Sequence, residues 1–252
     1  MSTAAESIPH TEVNRHGQAV GVALPDWRPR AFPPAVVLQG RTCQLEPLDV
    51  ERHAAALFEA DSADLSGESW TYLPYGPFPT FEVYRAWVVD MASRSDPQMY
   101  AVLDRAGRAV GVLGLMRIDP ANGVIEIGHV HFSPALQRSV AATEAVALLL
   151  RRVFELGYRR CEWKCDALNQ PSRRAALRLG FVYEGLFRQA VVIKGRNRDT
   201  TWFSIIDAEW PLVARALAAW LEPANFDADG HQRHRLAALR EALVGAVPGA
   251  TI

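Results

Sequence analysis

The sequence predicts an α/β (α+β) fold in which one mixed, mostly antiparallel sheet carries helices on both faces. Three observations predict it. Three apolar, alternating segments, 99–103, 109–118 and 124–132, are joined by tight turns at 105–107 and 120–123, the pattern of an antiparallel meander. A helix, a strand and a second helix follow between residues 138 and 179. Two long alternating segments, 181–193 and 198–207, then form a hairpin across Lys194, Gly195, Arg196 and Asn197. Meander, helix, strand, helix and hairpin in that order describe a single sheet with helices packed on it.

The chain has 252 residues, 49% of them hydrophobic, enough to bury a sizeable core in one domain with extensions. Its 27 Lys and Arg nearly cancel its 28 Asp and Glu, so no global field holds it on nucleic acid or an anionic membrane. Partners are expected to be small molecules or a local protein surface. Residues 1–17 are polar and lack a signal-peptide core, and no apolar run reaches the roughly 18 residues of a membrane span. A cytoplasmic protein is expected. Cys43, Cys161 and Cys165 are too few and too odd for a disulfide framework, and fit reduced core thiols.

Taken in order, residues 1–40, rich in Pro, Gly and polar residues with isolated Trp27 and Phe32, read as an N-terminal arm that packs on a domain spanning 41–210. Within that domain 43–47 alternates as a first strand and 52–60 is helical. The loop 70–79 interleaves prolines with Trp70, Tyr72, Tyr75 and Phe78, the make-up of a folded lid or a packing plug. Thr80 offers an N-cap and Glu82 a first-turn acid for a helix to about residue 93. After the meander, Val140, Ala147, Leu148 and Phe154 keep helical spacing and Gly157 ends that helix. Strand 160–166 puts Cys161, Trp163 and Cys165 on one face and Glu162 and Lys164 on the other. Helix 171–179 stops at Gly180. Residues 211–252 form a C-terminal helical extension, with helices over 211–221 and 232–244.

Two stretches carry the chemistry. In the first, strand 124–132 is broken by Pro134 and enters a helix through Gln137, Arg138, Ser139, Val140, Ala141 and Ala142. Unpaired N–H groups and the positive end of a helix make such a start an anion site. In the second, Asn169 leaves strand 160–166, a helix beginning Gln170, Pro171, Ser172, Arg173 follows, and Gly180 and Phe181 start the next strand.

Together these stretches resemble the GNAT acyltransferase superfamily, in wording most like its RimL/RimJ-like branch. The resemblance covers roughly 45–207. It implies a sheet splayed in the middle, between strand 124–132 and strand 160–166, with acetyl-CoA or another acyl-CoA in the splay. By the same resemblance Val130, His131 and Phe132 offer backbone to the pantetheine, while Arg138, Ser139, Val140, Ala141 and Ala142 cradle the phosphates. Asn169 bonds the pantetheine region and Arg173 meets the adenosine end. One departure stands out: Val140 fills the first glycine position of the family loop and Ala142 the second. The branched Val140 is expected to crowd the phosphates.

The implied reaction moves the acyl group directly to a primary amine of a small molecule or a protein N-terminus. It needs a proton acceptor, for which Glu126 is the candidate, and a donor to the departing thiolate, for which Ser172 is the candidate. The tyrosine that many relatives use for the latter is replaced by Ala176. Trp70, Tyr72, Tyr75 and His129, with Phe78, Tyr84 and Trp87, are expected to grip the acceptor. Each has a plainer alternative: Glu126 an exposed strand residue, Ser172 a helix-start hydroxyl, the aromatics core packing. His129 and His131 share a face but lack a third ligand, so no metal is expected. Lys164 and Asp166 read as a solvated strand face, and Arg188, Arg196, Arg198 and Asp199 as a border of the site or an oligomer contact. A homodimer, a non-catalytic acyl-CoA-binding protein and a partner-binding protein remain open alternatives.

Overall fold

The computed structural model describes residues 11–245, so the first ten residues of the expected arm and the last seven of the expected extension lie outside the described residues. In chain order, β1 (Thr11–Val13) and β2 (Ala19–Gly21) pair only with each other, a hairpin that sequence periodicity missed. The main sheet takes β3 (Leu38–Gln39), β4 (Gln44–Pro47), β5 (Gln98–Leu103), β6 (Ala109–Asp119), β7 (Val124–Phe132), β8 (Arg160–Asp166), β9 (Val182–Ile193) and β10 (Arg196–Ile206). Its spatial order is β3-β4-β5-β6-β7-β8-β10-β9. Every neighbouring pair is antiparallel except β7 with β8.

Helices cover both faces. On one, α3 (Val140–Glu155) lies over the centre with α4 (Gln170–Leu179), α5 (Trp210–Leu221) and α6 (Leu236–Gly245), and Ile125, Ile127, Leu149 and Leu150 are wholly buried. Truncating any of these to alanine costs about 2–5 kcal/mol. On the other, α1 (Val50–Asp61) and α2 (Phe81–Ala92) enclose a second core. Thr80 caps α2 as expected, its side chain accepting from the Val83 N–H. Tyr84, Trp87 and Trp70 all fall in this second core. Trp70, expected at the acceptor site, is 3% exposed and packs as part of this core, so its plainer reading as core packing describes it in this structure.

The arm straps the lower edge of the sheet. Trp27 Nε1 donates to the Ala121 carbonyl at 2.9 Å, and Gln98 Nε2 donates to that of Pro33 at 2.9 Å. Gly123, with φ 63°, turns beneath the Trp27 ring, where a side chain would collide with it. Cys43, Cys161 and Cys165 are free and buried. No helix among the described residues is long and apolar enough to cross a membrane.

Candidate active site

Strands β7 and β8 pair only at Val124–Arg160, Ile125–Cys161 and Glu126–Glu162. Beyond Glu126 they part. The cause lies on the other side of β7, where Val112 faces His131 and Gly114 faces Gly128, so His129 and Val130 together oppose Leu113. His129 takes φ 51° to make this bulge. A bulge bends its strand, and here it turns β7 away from β8. The two facing edges are left unpaired, open to an extended ligand. The bulge also breaks alternation. Strict alternation would put Glu126, Gly128 and Val130 on one face, but Val130 packs into the core under α3, while His129 and His131 both reach the α1–α2 side.

At the top of the splay the chain turns into α3. Ser139 caps this helix, its Oγ accepting from the Ala142 N–H at 3.0 Å, which leaves the N–H groups of Val140 and Ala141 without intrahelical acceptors. The left-handed position is Arg138, at φ 59°; Val140 is the first residue of α3. Val140 therefore needs no left-handed backbone, and its N–H is kept as a donor at the helix start. The helix start opens on a cleft of about 370 Å³ flanked by Arg41, Thr42 and Arg105. Glu144, one turn inside α3, holds that wall: its carboxylate accepts from the backbone of Arg41 at 2.8 Å and Thr42 at 2.6 Å, and from the Thr42 hydroxyl. Burial pushes the Glu144 carboxyl up, yet the bonds from Thr42 and Arg41 prevail and hold it below its ordinary value.

At the base of the splay Glu126 is 4% exposed. Its carboxylate accepts from Arg117 at 3.1 Å and from the Lys164 ammonium at 3.0 Å. Lys164 also pairs with Glu162 at 2.6 Å and lies 3.7 Å above the Trp202 ring. The plainer readings of Glu126 as an exposed strand residue and of Lys164 as part of a solvated face are thus overturned. Burial raises the Glu126 pKa, with Lys164 and Arg117 opposing it. Above this floor His129 meets Tyr75, the Tyr72 hydroxyl donates to the Leu168 carbonyl at 3.2 Å, and Lys194 at the tip of the β9–β10 hairpin donates to the Trp70 carbonyl at 2.8 Å. Loop and hairpin therefore meet over the splay.

The family model described as an acetyltransferase (GNAT) domain matches residues 43–182, more than half of the chain. The chain belongs to the GNAT acetyltransferase family. A crystal structure of a GCN5-related N-acetyltransferase from Brucella melitensis is 47% identical, covering 86% of this chain and all of that one, with a TM-score of 0.85. A probable GNAT acetyltransferase from Chromobacterium violaceum is also 47% identical, over 76% of this chain and 96% of that one, with a TM-score of 0.72. The ribosomal-protein-serine acetyltransferase of Escherichia coli is 31% identical over 102 residues, 40% of this chain and 56% of that protein. The chain is accordingly an N-acetyltransferase of this family, whose members draw their acyl group from an acyl-CoA, and nothing supports the non-catalytic alternative.

In this GNAT domain α4 closes the far side of the splay. Asn169 caps it by accepting from the Ser172 N–H at 3.1 Å. The Ser172 Oγ accepts from Trp163 Nε1 at 3.0 Å and so keeps its own proton to donate. Arg173 donates to the Ala167 carbonyl at 3.3 Å, and Ala176 is wholly buried. Arg41, Thr42, Arg105, Glu144, Lys164 and Trp202 were missed as site residues. A charged residue in an apolar helix run was the one sequence signal for Glu144; the others come from distant loops and strands that only the folded sheet brings together.

Proposed function

We propose that the chain transfers an acetyl group from acetyl-CoA directly to a primary amine, of a small molecule or a protein N-terminus. The observation that carries this reading is the Glu126 carboxylate, held by Arg117 and Lys164 at the point where β7 and β8 part. The residues present fit the donor. The unpaired backbone of Val130, His131 and Phe132 suits the amides of a pantetheine arm, with Asn169 on the opposite wall. The free N–H groups of Val140 and Ala141, capped by Ser139 and followed by Ala142, suit a pyrophosphate beside Arg138 and Arg41. Arg173, whose guanidinium donates to the Ala167 carbonyl, is the candidate for the adenosine end.

Acyl-CoA supplies an activated thioester carbonyl. Glu126 accepts the proton that the acceptor amine loses, directly or through a water, and Ser172 donates a hydrogen bond to the leaving sulfur. Tyr72, Tyr75 and His129 orient the acceptor. The ribosomal acetyltransferase names among relatives support a protein N-terminus as one acceptor class. Three free, buried cysteines support a cytoplasmic setting. Apolar side chains exposed along the sheet edge, Phe187 and Val192 among them, support a homodimer.

The test is thiol release from acetyl-CoA across a panel of amines, with Glu126→Gln beside the wild type. The variant is expected to lose ~10²-fold or more in turnover while CoA still raises the melting temperature equally in both proteins. Equal loss of CoA binding would mark Glu126 as structural.

A further inference from the structure

Charged side chains buried at the base of a splay are costly unless each finds a partner. Here they form an alternating chain across three strands: Arg117 on β6, Glu126 on β7, then Lys164, Glu162 and Arg160 on β8. Lys164 is its centre. The side chain is 5% exposed and its ammonium bridges the two carboxylates, one on either side of the line where β7 and β8 separate. The Trp202 face, 3.7 Å away, covers the ammonium from β10. The ammonium is thus confined between two carboxylates and a ring, an arrangement that fixes where Glu126 points.

Resting on the reading of Glu126 as proton acceptor, we propose that Lys164 is its positioning residue: the ammonium orients the Glu126 carboxylate and holds it anionic, so this ion pair sets the pH at which transfer begins. The groups facing Glu126 are Arg117 from β6, Lys164 and Glu162 from β8, and the Cys161 thiol behind it. Arg117 is 56% exposed, so water screens it, whereas Lys164 is dry. Burial alone would drive the Glu126 carboxyl toward its neutral form, and Lys164 is the largest influence against that.

Removing Lys164 leaves Glu126 with Arg117 and Glu162 with Arg160, so Lys164→Met strands no carboxylate without a cation. The side chain of Glu126, carbon-13 labelled and assigned by its loss in Glu126→Gln, is titrated by NMR in the free enzyme. The midpoint is expected to rise by about one to three pH units in Lys164→Met and to return toward the wild-type value in Lys164→Arg. The acidic limb of kcat/KM against pH should move by the same amount in each protein. An unmoved NMR midpoint in Lys164→Met overturns the proposal. A midpoint that moves while the kinetic limb stays still upholds the control of Lys164 over Glu126 and instead removes Glu126 from proton transfer. Should Lys164→Met fail to fold, the charge-balanced pair Glu162→Gln with Lys164→Met takes its place under the same criteria.

Discussion

His129 Nδ1 lies 2.8 Å from the Tyr75 hydroxyl, and the two rings stack with their planes 6° apart. One residue makes the bulge that opens the sheet and the other belongs to the aromatic loop, so the contact joins the splay to its roof. Burial holds the His129 imidazole neutral by lowering its pKa and raises that of the Tyr75 phenol. A neutral ring accepting from a phenol is the state that results.

Tyr75→Phe keeps the stack and deletes that bond. The acceptor KM is expected to rise several-fold while CoA affinity is unchanged, and stability to fall by about 1 kcal/mol. Steady-state kinetics and calorimetric titration with CoA check this. An unchanged KM would place the acceptor away from the His129 wall.

Arg138 holds φ 59° without being glycine, a conformation that costs about 1–2 kcal/mol for a residue with a Cβ. Arg138→Gly should therefore raise the melting temperature while weakening CoA binding, because the guanidinium beside the phosphates is lost. Val140→Gly should do the reverse to stability, since a glycine at a helix start frees the chain where α3 begins. It is not expected to tighten CoA binding. Tighter binding would mean that the valine crowds the phosphates after all.

Much of this was legible in the sequence for a physical reason. β7 and β8 match their predicted bounds because alternating core residues such as Ile125 and Ile127, or Cys161 and Trp163, admit one register only. Thr80 and Gly180 mark helix ends by local chemistry alone. What stayed hidden depends on long-range pairing. The bulge at His129 exists only against Leu113 on β6, and without it Val130 is assigned to the wrong face. Lys164 looked solvated because its partners, Glu126 and Trp202, lie 38 residues away in each direction along the chain. Trp70 looked available because nothing local shows that His131 will stack on it at 3.5 Å.

Asp61, at the end of α1, is buried with His131 Nδ1 at 3.5 Å, and the Tyr84 hydroxyl is the polar neighbour that opposes the effect of burial on its carboxyl. Burial pushes its pKa up to about 7. A folded-state value raised above the unfolded one gives stability that is full below pH 3.8 and is lost as pH rises toward 7. Asp61→Asn removes the titration. Its melting temperature relative to wild type should climb between pH 4.5 and 7.5 and then level off. A difference that does not vary with pH would show that the Tyr84 hydroxyl offsets the effect of burial in full.

Glu144 ties the wall of the phosphate cleft to the helix behind it, and its loss should separate stability from binding in a defined way. The carboxylate accepts from the N–H groups of Arg41, Thr42 and Cys43, and Gly40 lets the loop lie close, since a Cβ there would sit 2.8 Å from the carboxyl carbon. Charge-assisted bonds of this kind contribute about 1.5–3 kcal/mol each, and they are not additive. Glu144→Ala leaves several buried donors unpaired, whereas Glu144→Gln keeps one acceptor oxygen and loses the charge. With its folded pKa below the ordinary 4.5, Glu144 contributes stability that is present above that value and is lost as pH falls through the folded one. The melting temperature of Glu144→Gln should therefore lie below wild type at pH 7, and the gap should narrow as the pH is brought below 4. Because Arg41 and Thr42 flank the cleft at the start of α3, CoA should bind more weakly to the variant at pH 7, at temperatures where both proteins are fully folded. The acceptor KM should not change, since Glu126 and Tyr75 lie at the other end of the splay. A lower melting temperature with unaltered CoA affinity would make the 40–43 loop a structural tie alone and leave the phosphates to Arg138, Val140 and Ala141.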